Sequence, residues 1–269
     1  MTVPSKCPVA LFASRAAPRG NEGSVATLTT VVIQQPMLFP WVGMIEHIAM
    51  ADVYIHRDDV PFSKSWRTHR IQIKTAKGAE WMTIPIAHHC FEQPIVKLEA
   101  SSQDWRTKHV RVLENAYAKA PYKREMLQIV RDVYEREDKP LVETISASVE
   151  TLIDYFGLRD QLTVMKATEM QFAGDRSQQL VEMVQAVNGD VYLTGHGARN
   201  YIDHELFESN GIDVRYVEYS LSEYPQLHGN FEPYISALDL IANTGPDARN
   251  HHLKPRAIPW REFAGDEDS

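Results

Sequence analysis

Apolar and β-branched residues first cluster at residues 29–35 (TTVVIQQ), a pattern typical of a buried strand. Residues 41–51 (WVGMIEHIAMA) then repeat apolar side chains at the spacing of an amphipathic helix. Residues 52–56 (DVYIH) are apolar again and have the length of a second strand. A strand, a helix and a strand joined by short links predict a βαβ unit, and therefore a parallel strand pair.

Polar and apolar residues alternate at residues 71–75 (IQIKT) and 80–86 (EWMTIPI), which is the pattern of half-buried strands. Because the two segments flank a short link that contains Gly78, they predict a β-hairpin. We expect residues 95–100 (IVKLEA) to add one more strand.

The spacing of apolar residues becomes helical after residue 103, in three successive segments at residues 104–119, 121–138 and 140–157. Asp104 suits an N-cap, Pro121 and Pro140 suit the first turn of a helix, and Gly157 suits a stop at its end. We therefore expect a helical insertion at about residues 104–157.

The second half of the chain alternates strand patterns with helix patterns. Strands are predicted at residues 162–167, 190–195 and 213–219, and helices at residues 175–189, 201–209 and 234–245. This order predicts an α/β fold with a mainly parallel sheet flanked by helices, a β-hairpin and the helical insertion. We expect a single domain at residues 29–246, a flexible arm at 1–28 and a C-terminal tail at 247–269.

Composition narrows the class of protein. The chain has 269 residues, 43% of them hydrophobic, and a net charge of −8, so no long-range field attracts nucleic acid. Two distant cysteines, Cys7 and Cys90, do not form a disulfide framework, which favours a cytoplasmic location. No apolar run reaches the roughly 18 residues of a membrane span, so we expect no membrane contact.

Polar and aromatic residues follow several of the predicted strands. Ligands of open α/β sheets bind beyond the carboxyl ends of the strands, where these segments should converge. The segments are QQPMLFPW at 34–41, HRDDVPFSKSWRTHR at 56–70, TGHGARNYID at 194–203 and EYPQLHGNF at 223–231. Their convergence is our main argument for a binding site at this edge.

Each segment also has a simpler interpretation. The charged run at 56–70 suits an anion or amine pocket, but it also suits a solvated loop, and His56 with Asp58 and Asp59 suits a metal site. The glycines around His196 are typical of a tight turn, whereas the imidazole suits proton transfer near neutral pH. Cys90 has no evident base beside it, so it is a poor candidate for a nucleophile.

Taken together, these segments resemble the WbqC-like protein family over residues 29–246. The resemblance rests on Gln35, Pro36, Pro40, Trp41, Gly43, Asp52, Asp58, Asp59, Val60, Phe62, Lys64, Trp66, Arg70, Lys74, the WMTIPI segment, Trp105, Lys108, His109, Tyr117, Ala120, Pro121, Tyr122, Tyr192, Gly195, Tyr201, Ile202, Asp203, Tyr224, Gln226, Ser236, Leu238, Asp239 and Leu240. The chain departs from the expected pattern at Leu38 and His69.

The resemblance implies a role in making surface polysaccharides or other glycosylated products. The implied reaction attaches glycine, or a similar amino-acyl group, to the amine of a nucleotide-linked amino sugar. The donor is left open between an aminoacyl-tRNA, an acyl-carrier thioester and an adenylate made in place from ATP. The histidines of the phosphate-binding signature of adenylate-forming ligases are missing from PWVGM, which argues against ATP.

The resemblance and the residue types together give a hypothesis for the site. Proton transfer is assigned to Asp59 or His196, with His69 as a further candidate. Main-chain N–H groups at 195–198 would stabilise an oxyanion. The substrate-binding candidates are Gln35, Trp41, Asp58, Lys64, Trp66, Arg70, Lys74, Trp105, Lys108, His109, Gly195, Tyr201, Tyr224, Gln226 and Asp239. Among these, the tryptophans would stack on a sugar or base, and Lys64, Arg70 and Lys74 would hold a diphosphate.

Two alternatives come from other classes of protein. The chain could bind a sugar or a partner protein in a glycosylation assembly without catalysing a reaction. It could also be an ATP-dependent adenylate-forming ligase of related fold, or a metal enzyme that uses His56, Asp58 and Asp59.

Overall fold

The computed structural model of the chain describes residues 27–63, 67–135, 139–170, 172 and 176–265. Its strands are β1 (Thr30–Gln34), β2 (Val53–His56), β3 (Arg70–Thr75), β4 (Gly78–Thr83), β5 (Thr163–Lys166), β6 (Val191–Thr194), β7 (Asp213–Glu218) and β8 (Arg256–Pro259). Its α-helices are α1 (Val42–Ala49), α2 (Trp105–Ala116), α3 (Lys123–Tyr134), α4 (Leu141–Tyr155), α5 (Arg176–Ala186), α6 (His204–Ser209), α7 (Ala237–Thr244), α8 (Ala248–His252) and α9 (Trp260–Gly265).

The central element is a six-stranded sheet in the order β5-β2-β1-β6-β7-β8. Neighbouring strands are parallel from β5 to β7, and only β8 runs antiparallel to its neighbour β7. The β1 residues alternate between two cores, because Val32 packs on one side of the sheet while Val31 and Ile33 pack on the other. The prediction of an α/β fold with a mainly parallel sheet is therefore confirmed.

The order of the strands reverses direction between β1 and β6. From β1 the chain moves outward to β2 and later to β5, and it then returns to β6 and moves outward to β7 on the other side. The carboxyl ends of these parallel strands lie at the same edge of the sheet. Such a reversal opens a crevice at that edge, which is where open α/β sheets bind their ligands.

The predicted hairpin is a separate two-stranded antiparallel sheet of β3 and β4. Gly78 adopts a φ of +99° at the turn, a conformation that favours glycine. The prediction of a strand at 95–100 is wrong, because Ile95–Lys97 is a short 3₁₀ turn. Ile95 and Leu98 both point into the core, and inward positions three residues apart suit a 3₁₀ turn and not a strand.

The helical insertion consists of α2, α3 and α4, close to the predicted segments. Gly157 ends α4 with a φ of +63°, as expected. The start signals differ from expectation, because Pro140 occupies the N-cap of α4 and Pro121 precedes the N-cap of α3. Asp104 precedes α2, but its carboxylate pairs with Lys108 at 2.6 Å and does not cap the helix.

The sheet continues beyond residue 246, in a segment that we expected to be a tail. β8 pairs with β7 in a register that places Tyr216 opposite Ile258. In α9 that follows, the Phe263 ring stacks on Tyr216 with centroids 4.4 Å apart. Among the described helices, none has both the length and the apolar character of a membrane span.

Candidate functional site

A cleft of about 520 Å³ opens at the carboxyl edge of the sheet, where the strand order reverses. Gln34 at the end of β1, His196 after β6 and Tyr219 after β7 line it, together with Trp41 and Arg67. We call it the switch-point cleft. Three of the four segments expected at this edge contribute to it, whereas residues 223–231 do not line it.

The QQPMLFPW turn is fixed to two helices of the body. Phe39 N–H donates to Ser148 Oγ at 2.8 Å, and Phe39 O accepts from Ser236 Oγ at 2.7 Å. Pro40 O accepts from Ala237 N–H at 2.8 Å. Because the polar groups of this buried turn are bonded to α4 and to the start of α7, the turn holds Trp41 in one place.

Three aromatic rings form one wall of the switch-point cleft. The Trp41 indole packs against Tyr219 and Tyr234, with ring centroids 4.8 and 5.4 Å away. Gly43 makes room for this indole, since a Cβ at position 43 would lie 2.3 Å from a Trp41 ring atom. Tyr234 is 49% exposed, so the wall offers π-faces on which a flat ligand can stack.

His196 is held in one orientation within the cleft. Its Nε2 lies 2.8 Å from Val217 O, and because a carbonyl only accepts, Nε2 carries the hydrogen. In the neutral ring Nδ1 is then unprotonated and able to accept a proton. The ring also packs against Tyr219 at 5.3 Å and Phe263 at 4.8 Å, so its plane is fixed from two sides.

Two arginines contact the Trp81 ring beside the cleft, and Arg67 is the one that lines it. The guanidinium carbons of Arg67 and Arg70 lie 5.3 and 4.3 Å from the centroid of the exposed Trp81 ring. Arg67 also donates to Tyr234 O at 3.3 Å. Burial lowers the pKa of Arg67, and the neighbouring charge of Arg70 lowers it further. Two like charges brought this close favour an anion between them.

A second cleft of about 340 Å³ lies on the β2 side of β1, and we call it the β2-side cleft. Gln35, Arg57, Arg176 and Tyr192 line it, and Gln34 and Tyr201 line both clefts. Of the predicted site residues, Gln35 and Tyr201 therefore lie together in the β2-side cleft. The switch-point cleft brings together Trp41, Gly195, His196 and Tyr201.

The neighbouring aspartates have different partners. Asp58 is buried, and its two oxygens accept from Thr168 N–H at 3.0 Å and Thr168 Oγ1 at 2.9 Å. This pair of bonds ties the end of β2 to the segment after β5. Asp59 is partly exposed and accepts from Arg57 Nε at 2.9 Å. Neither aspartate lines one of the two clefts.

Four of the predicted binding residues meet, but in the interior. Lys74 Nζ donates to Gln226 Oε1 at 3.0 Å, to Gly229 O at 3.3 Å and to Asn230 O. The Asp239 carboxyl is fully buried, and burial raises its pKa, while the hydroxyls of Tyr117 and Tyr224 and the charge of Lys74 act in the opposite direction. We call this set the interior cluster: Lys74, Tyr117, Tyr224, Gln226 and Asp239.

The hydroxyls of Tyr117 and Tyr224 lie near the Asp239 carboxyl, but no contact of either carboxylate oxygen within the described residues has the geometry of a full hydrogen bond. Because Lys74 is only 1% exposed and lines neither cleft, the structure does not bring it to a diphosphate in the cleft.

The candidates on α2 also serve packing. Trp105 is buried, with its ring 4.8 Å from Tyr134. His109 Nε2 lies 3.1 Å from Thr83 O, and Nδ1 lies 2.9 Å from the Tyr134 hydroxyl, so this imidazole joins α2 to the hairpin and to α3. Burial lowers the pKa of His109 to about 4. Lys108 is exposed and pairs with Asp104, and none of these residues lines the two clefts.

His69 is buried edge-on against Phe62, with ring centroids 5.0 Å apart. Burial, and then the charge of Arg70, lower the pKa of His69 to about 4, and the side chain lines neither cleft. A role for His69 in proton transfer is therefore not supported by its position. Lys64 and Trp66 lie outside the described residues.

The side chains proposed for a metal site do not assemble. His56 is fully buried, with its pKa lowered to about 3 mainly by burial, and Asp58 is bonded to Thr168. Within the described part of the chain, no three His, Cys, Asp or Glu side chains are placed to hold a metal ion.

Sequence reasoning missed several residues that line or flank the clefts: Arg57, Trp81, Arg176, Tyr219 and Tyr234. Arg57 and Tyr219 directly follow β2 and β7, so their place at the ends of predicted strands was a usable signal. Arg176 at the start of α5 and Trp81 on an exposed strand face carried no signal that distinguishes them from solvated residues.

Comparison with known proteins adds a family to this geometry. An uncharacterized protein of Mycobacterium tuberculosis, Rv1507c, is 30% identical over 225 residues, which cover 82% of this chain and 96% of the relative. No solved structure matches the chain significantly. The family model of WbqC-like proteins matches residues 35–251. The chain therefore belongs to the WbqC-like protein family.

Proposed function

We propose that the protein transfers an amino-acyl group, glycyl or similar, to the amine of a nucleotide-linked amino sugar. The role implied for the family suggests this reaction, and surface polysaccharide or glycosylated-product biosynthesis as its context. The observation that carries the proposal is His196, whose bond to Val217 O leaves Nδ1 as a proton acceptor in the switch-point cleft.

The nucleotide would occupy the switch-point cleft. The strand order of the sheet corresponds to 3-2-1-4-5-6 of dinucleotide-binding folds, with the sixth strand reversed here, and those folds bind nucleotides at the point of reversal. Trp41, Tyr219 and Tyr234 supply a stacking wall for the base. Arg67 and Arg70 supply two guanidinium groups for the diphosphate.

The reaction is acyl transfer. The amine nitrogen of the sugar attacks the carbonyl carbon of the donor, a C–N bond forms, and the C–O or C–S bond to the leaving group breaks. Nδ1 of His196 takes the proton that the amine loses and returns it to the leaving oxygen or sulfur. The N–H groups of His196 and Gly197 start a 3₁₀ turn, so no bond within that turn satisfies them and they can stabilise the oxyanion.

The two candidate bases differ in their surroundings. The Asp59 carboxylate is engaged by Arg57 and lines neither cleft, whereas His196 lies in the switch-point cleft. We therefore assign the proton transfer to His196 and expect Asp59 to act, if at all, by holding Arg57 in position.

Mass spectrometry tests the reaction. A nucleotide-activated 4-amino sugar is incubated with the protein and a glycyl-tRNA, a glycyl carrier thioester, or glycine with ATP. Gain of a glycyl residue with one of these donors supports amino-acyl transfer and names the donor class. Tight binding of the sugar nucleotide without gain from any donor overturns the proposal in favour of a binding protein.

Variants then locate the base. His196→Ala should lower turnover by about 10²–10⁴-fold, which is the usual contribution of a general base. Asp59→Asn should lower it less, and His89→Ala, an exposed histidine paired with Glu99, should leave it unchanged. Full turnover of His196→Ala, or loss of turnover only in Asp59→Asn, would remove His196 from the mechanism.

A further inference from the structure

The β2-side cleft collects positive charge from two separate elements. Arg57 directly follows β2, and Arg176 is the first residue of α5. Arg57 is 9% exposed, and its guanidinium is oriented by Asp59 Oδ1 at 2.9 Å and by Gln179 Oε1 at 2.5 Å. These two acceptors engage Nε and Nη2, and among the described residues nothing accepts from Nη1.

Arg176 has no ion pair within the described part of the chain, so its charge is not neutralised there. Among the described residues that line this cleft, two carry a guanidinium and none carries a carboxylate, and Asp59 pairs with Arg57 from outside the lining. This local excess of positive charge occurs in a chain whose net charge is −8, so it is not a consequence of the overall composition.

The cleft contains both hydrogen-bond donors and a hydrogen-bond acceptor. Both arginine charges act on the Tyr201 hydroxyl and oppose the rise in its pKa that burial causes, which places the two guanidinium groups near one phenol. Gln35 Oε1 is buried and accepts no hydrogen bond within the described residues. The cleft thus offers guanidinium donors for an anion, a phenol hydroxyl, and an amide oxygen that lacks a donor.

We infer that the β2-side cleft is an anion subsite that binds a phosphate group of the acyl donor. The Arg57 guanidinium is held by Asp59 and Gln179, Arg176 adds a second guanidinium from another element, and the planar fork of such groups matches phosphate oxygens. Gln34 and Tyr201 line both clefts, so a donor held here by its phosphate and a sugar nucleotide in the switch-point cleft lie on either side of the same two residues. The identity of this ligand rests on the proposed amino-acyl transfer, whereas the existence of the anion subsite does not.

The cleft favours a small phosphate-bearing donor over a transfer RNA. A cavity of about 340 Å³ accommodates a phosphate and a short arm. A tRNA would need an extended basic surface, which a net charge of −8 does not favour. Two small donors share the required chemistry: a thioester on a phosphate-linked arm, and an acyl adenylate.

Calorimetric titration of the full chain with pyrophosphate, coenzyme A and AMP tests the inference. Arg176→Gln removes an exposed side chain without partners in the described residues, so its folding should be unaffected. It should weaken the binding of the preferred phosphate ligand roughly tenfold, as expected for the loss of a charge-assisted contact. Arg124→Gln, an exposed arginine on α3, is the matched control and should bind like the wild type.

A second pair of variants separates this site from the diphosphate site of the sugar nucleotide. Arg67→Gln should weaken the sugar nucleotide and spare coenzyme A or AMP, while Arg176→Gln should do the reverse. Preference for coenzyme A identifies the thioester donor, and preference for AMP identifies the adenylate. Loss of phosphate binding in Arg67→Gln but not in Arg176→Gln, or binding of tRNA without binding of any small phosphate, overturns the subsite.

If the chain binds a small phosphate through Arg176 yet transfers no glycyl group to the sugar, the proposed reaction fails while the anion subsite stands. If transfer proceeds at the wild-type rate in Arg176→Gln at low donor concentration, the subsite fails while the reaction stands.

Discussion

Lys74 carries a charged group into the interior of the protein, where three acceptors surround its ammonium: Gln226 Oε1 and the carbonyls of Gly229 and Asn230. An ammonium so placed is stable only if these bonds replace those of water. The bonds run from β3 to the segment at 226–230, so the side chain fastens that segment to the hairpin. These contacts give Lys74 a structural role that does not involve a substrate.

Lys74→Met should destabilise the fold by about 3 kcal/mol, because it leaves the loop carbonyls and the Asp239 carboxyl without their cation in a buried site. Urea unfolding measures the loss. Lys77→Met, an exposed lysine in the hairpin turn, should change stability by no more than about 0.5 kcal/mol. Equal stability of the two variants would show that the interior cluster does not depend on the lysine.

The residue types of the candidate site were predictable from the sequence, but their division between clefts and interior was not. Alternation along β3 buries Ile71 and Ile73, which predicts an outward side chain at position 74. Lys74 is nevertheless buried, because residues 226–230, far away in sequence, cover its side chain and accept from its ammonium. Hydrogen-bond partners so far away in sequence can be identified only from the three-dimensional structure.

Helix α1 shows how one element shapes the wall of a cleft. Trp41 precedes the helix, and its indole folds back over Gly43, a position where any side chain would collide with the ring. The same ring packs against Tyr219 in the same wall of the cleft. The two prolines of the preceding turn restrict the approach of the chain to α1, so the position of the indole is set by local sequence.

Gly43→Ala should raise the intrinsic helix propensity of α1 by about 1 kcal/mol, so a simple helix effect predicts a gain in stability. The added methyl must push the Trp41 ring aside, and we expect sugar-nucleotide affinity to fall roughly tenfold, within the range of one lost stacking contact. Titration calorimetry measures the affinity. Lys77→Ala, in the exposed hairpin turn and outside both clefts, is the control and should bind normally.

If Gly43→Ala binds the sugar nucleotide as tightly as the wild type, the aromatic wall does not hold the base, and the nucleotide must lie elsewhere along the sheet edge.

Elements with a clear apolar pattern were predictable, whereas β8 was not. β1, β2, the hairpin and the helices α2 to α5 show their apolar residues in a recognisable pattern. β8 has four residues like β2, but its sequence RAIP contains an arginine and a proline, and it becomes a strand because β7 offers an open edge. β8 leads into α9, whose Phe263 packs on His196. Because this strand was not predicted, the contact that supports His196 was not predicted either.

At the scale of the whole molecule, the βαβ pattern and the alternation of strands with helices predicted a parallel sheet, and general topology placed the site at its carboxyl edge. The strand order that creates the reversal between β1 and β6 was not evident, because it depends on where β5 returns after the long helical insertion. The clefts combine residues from position 33 to position 234, so no single segment of the sequence contains a complete site.

Four buried histidines among the described residues make the stability of the whole molecule depend on pH. Burial lowers the pKa of His47, His69 and His109 to about 4 and that of His56 to about 3. In the unfolded chain their pKa returns to roughly 6.5. Between pH 6.5 and about 4 the unfolded state therefore binds more protons than the folded state, and the free energy of unfolding falls as the pH is lowered.

Two buried carboxyls act in the opposite direction. Burial raises the pKa of Glu46 and of Asp239, so their contribution favours the folded state at low pH and is lost as the pH rises through the raised pKa. They offset part of the histidine effect. With four histidines against two carboxyls, we expect net destabilisation as the pH falls from 6.5 toward 4.

His109→Gln isolates one histidine from this balance. Each neutral buried histidine contributes up to about 1.4 kcal/mol per pH unit to the slope of the free energy of unfolding against pH, between pH 6.5 and 4. The variant should lose that contribution, while its side-chain amide can still bridge α2 and the hairpin. Urea unfolding at pH 7, 6 and 5 measures it. His89→Gln, an exposed histidine, should retain the wild-type slope. If His109→Gln keeps the full slope as well, His109 is protonated equally in both states, and the acid sensitivity of the fold must arise from His47, His56 and His69.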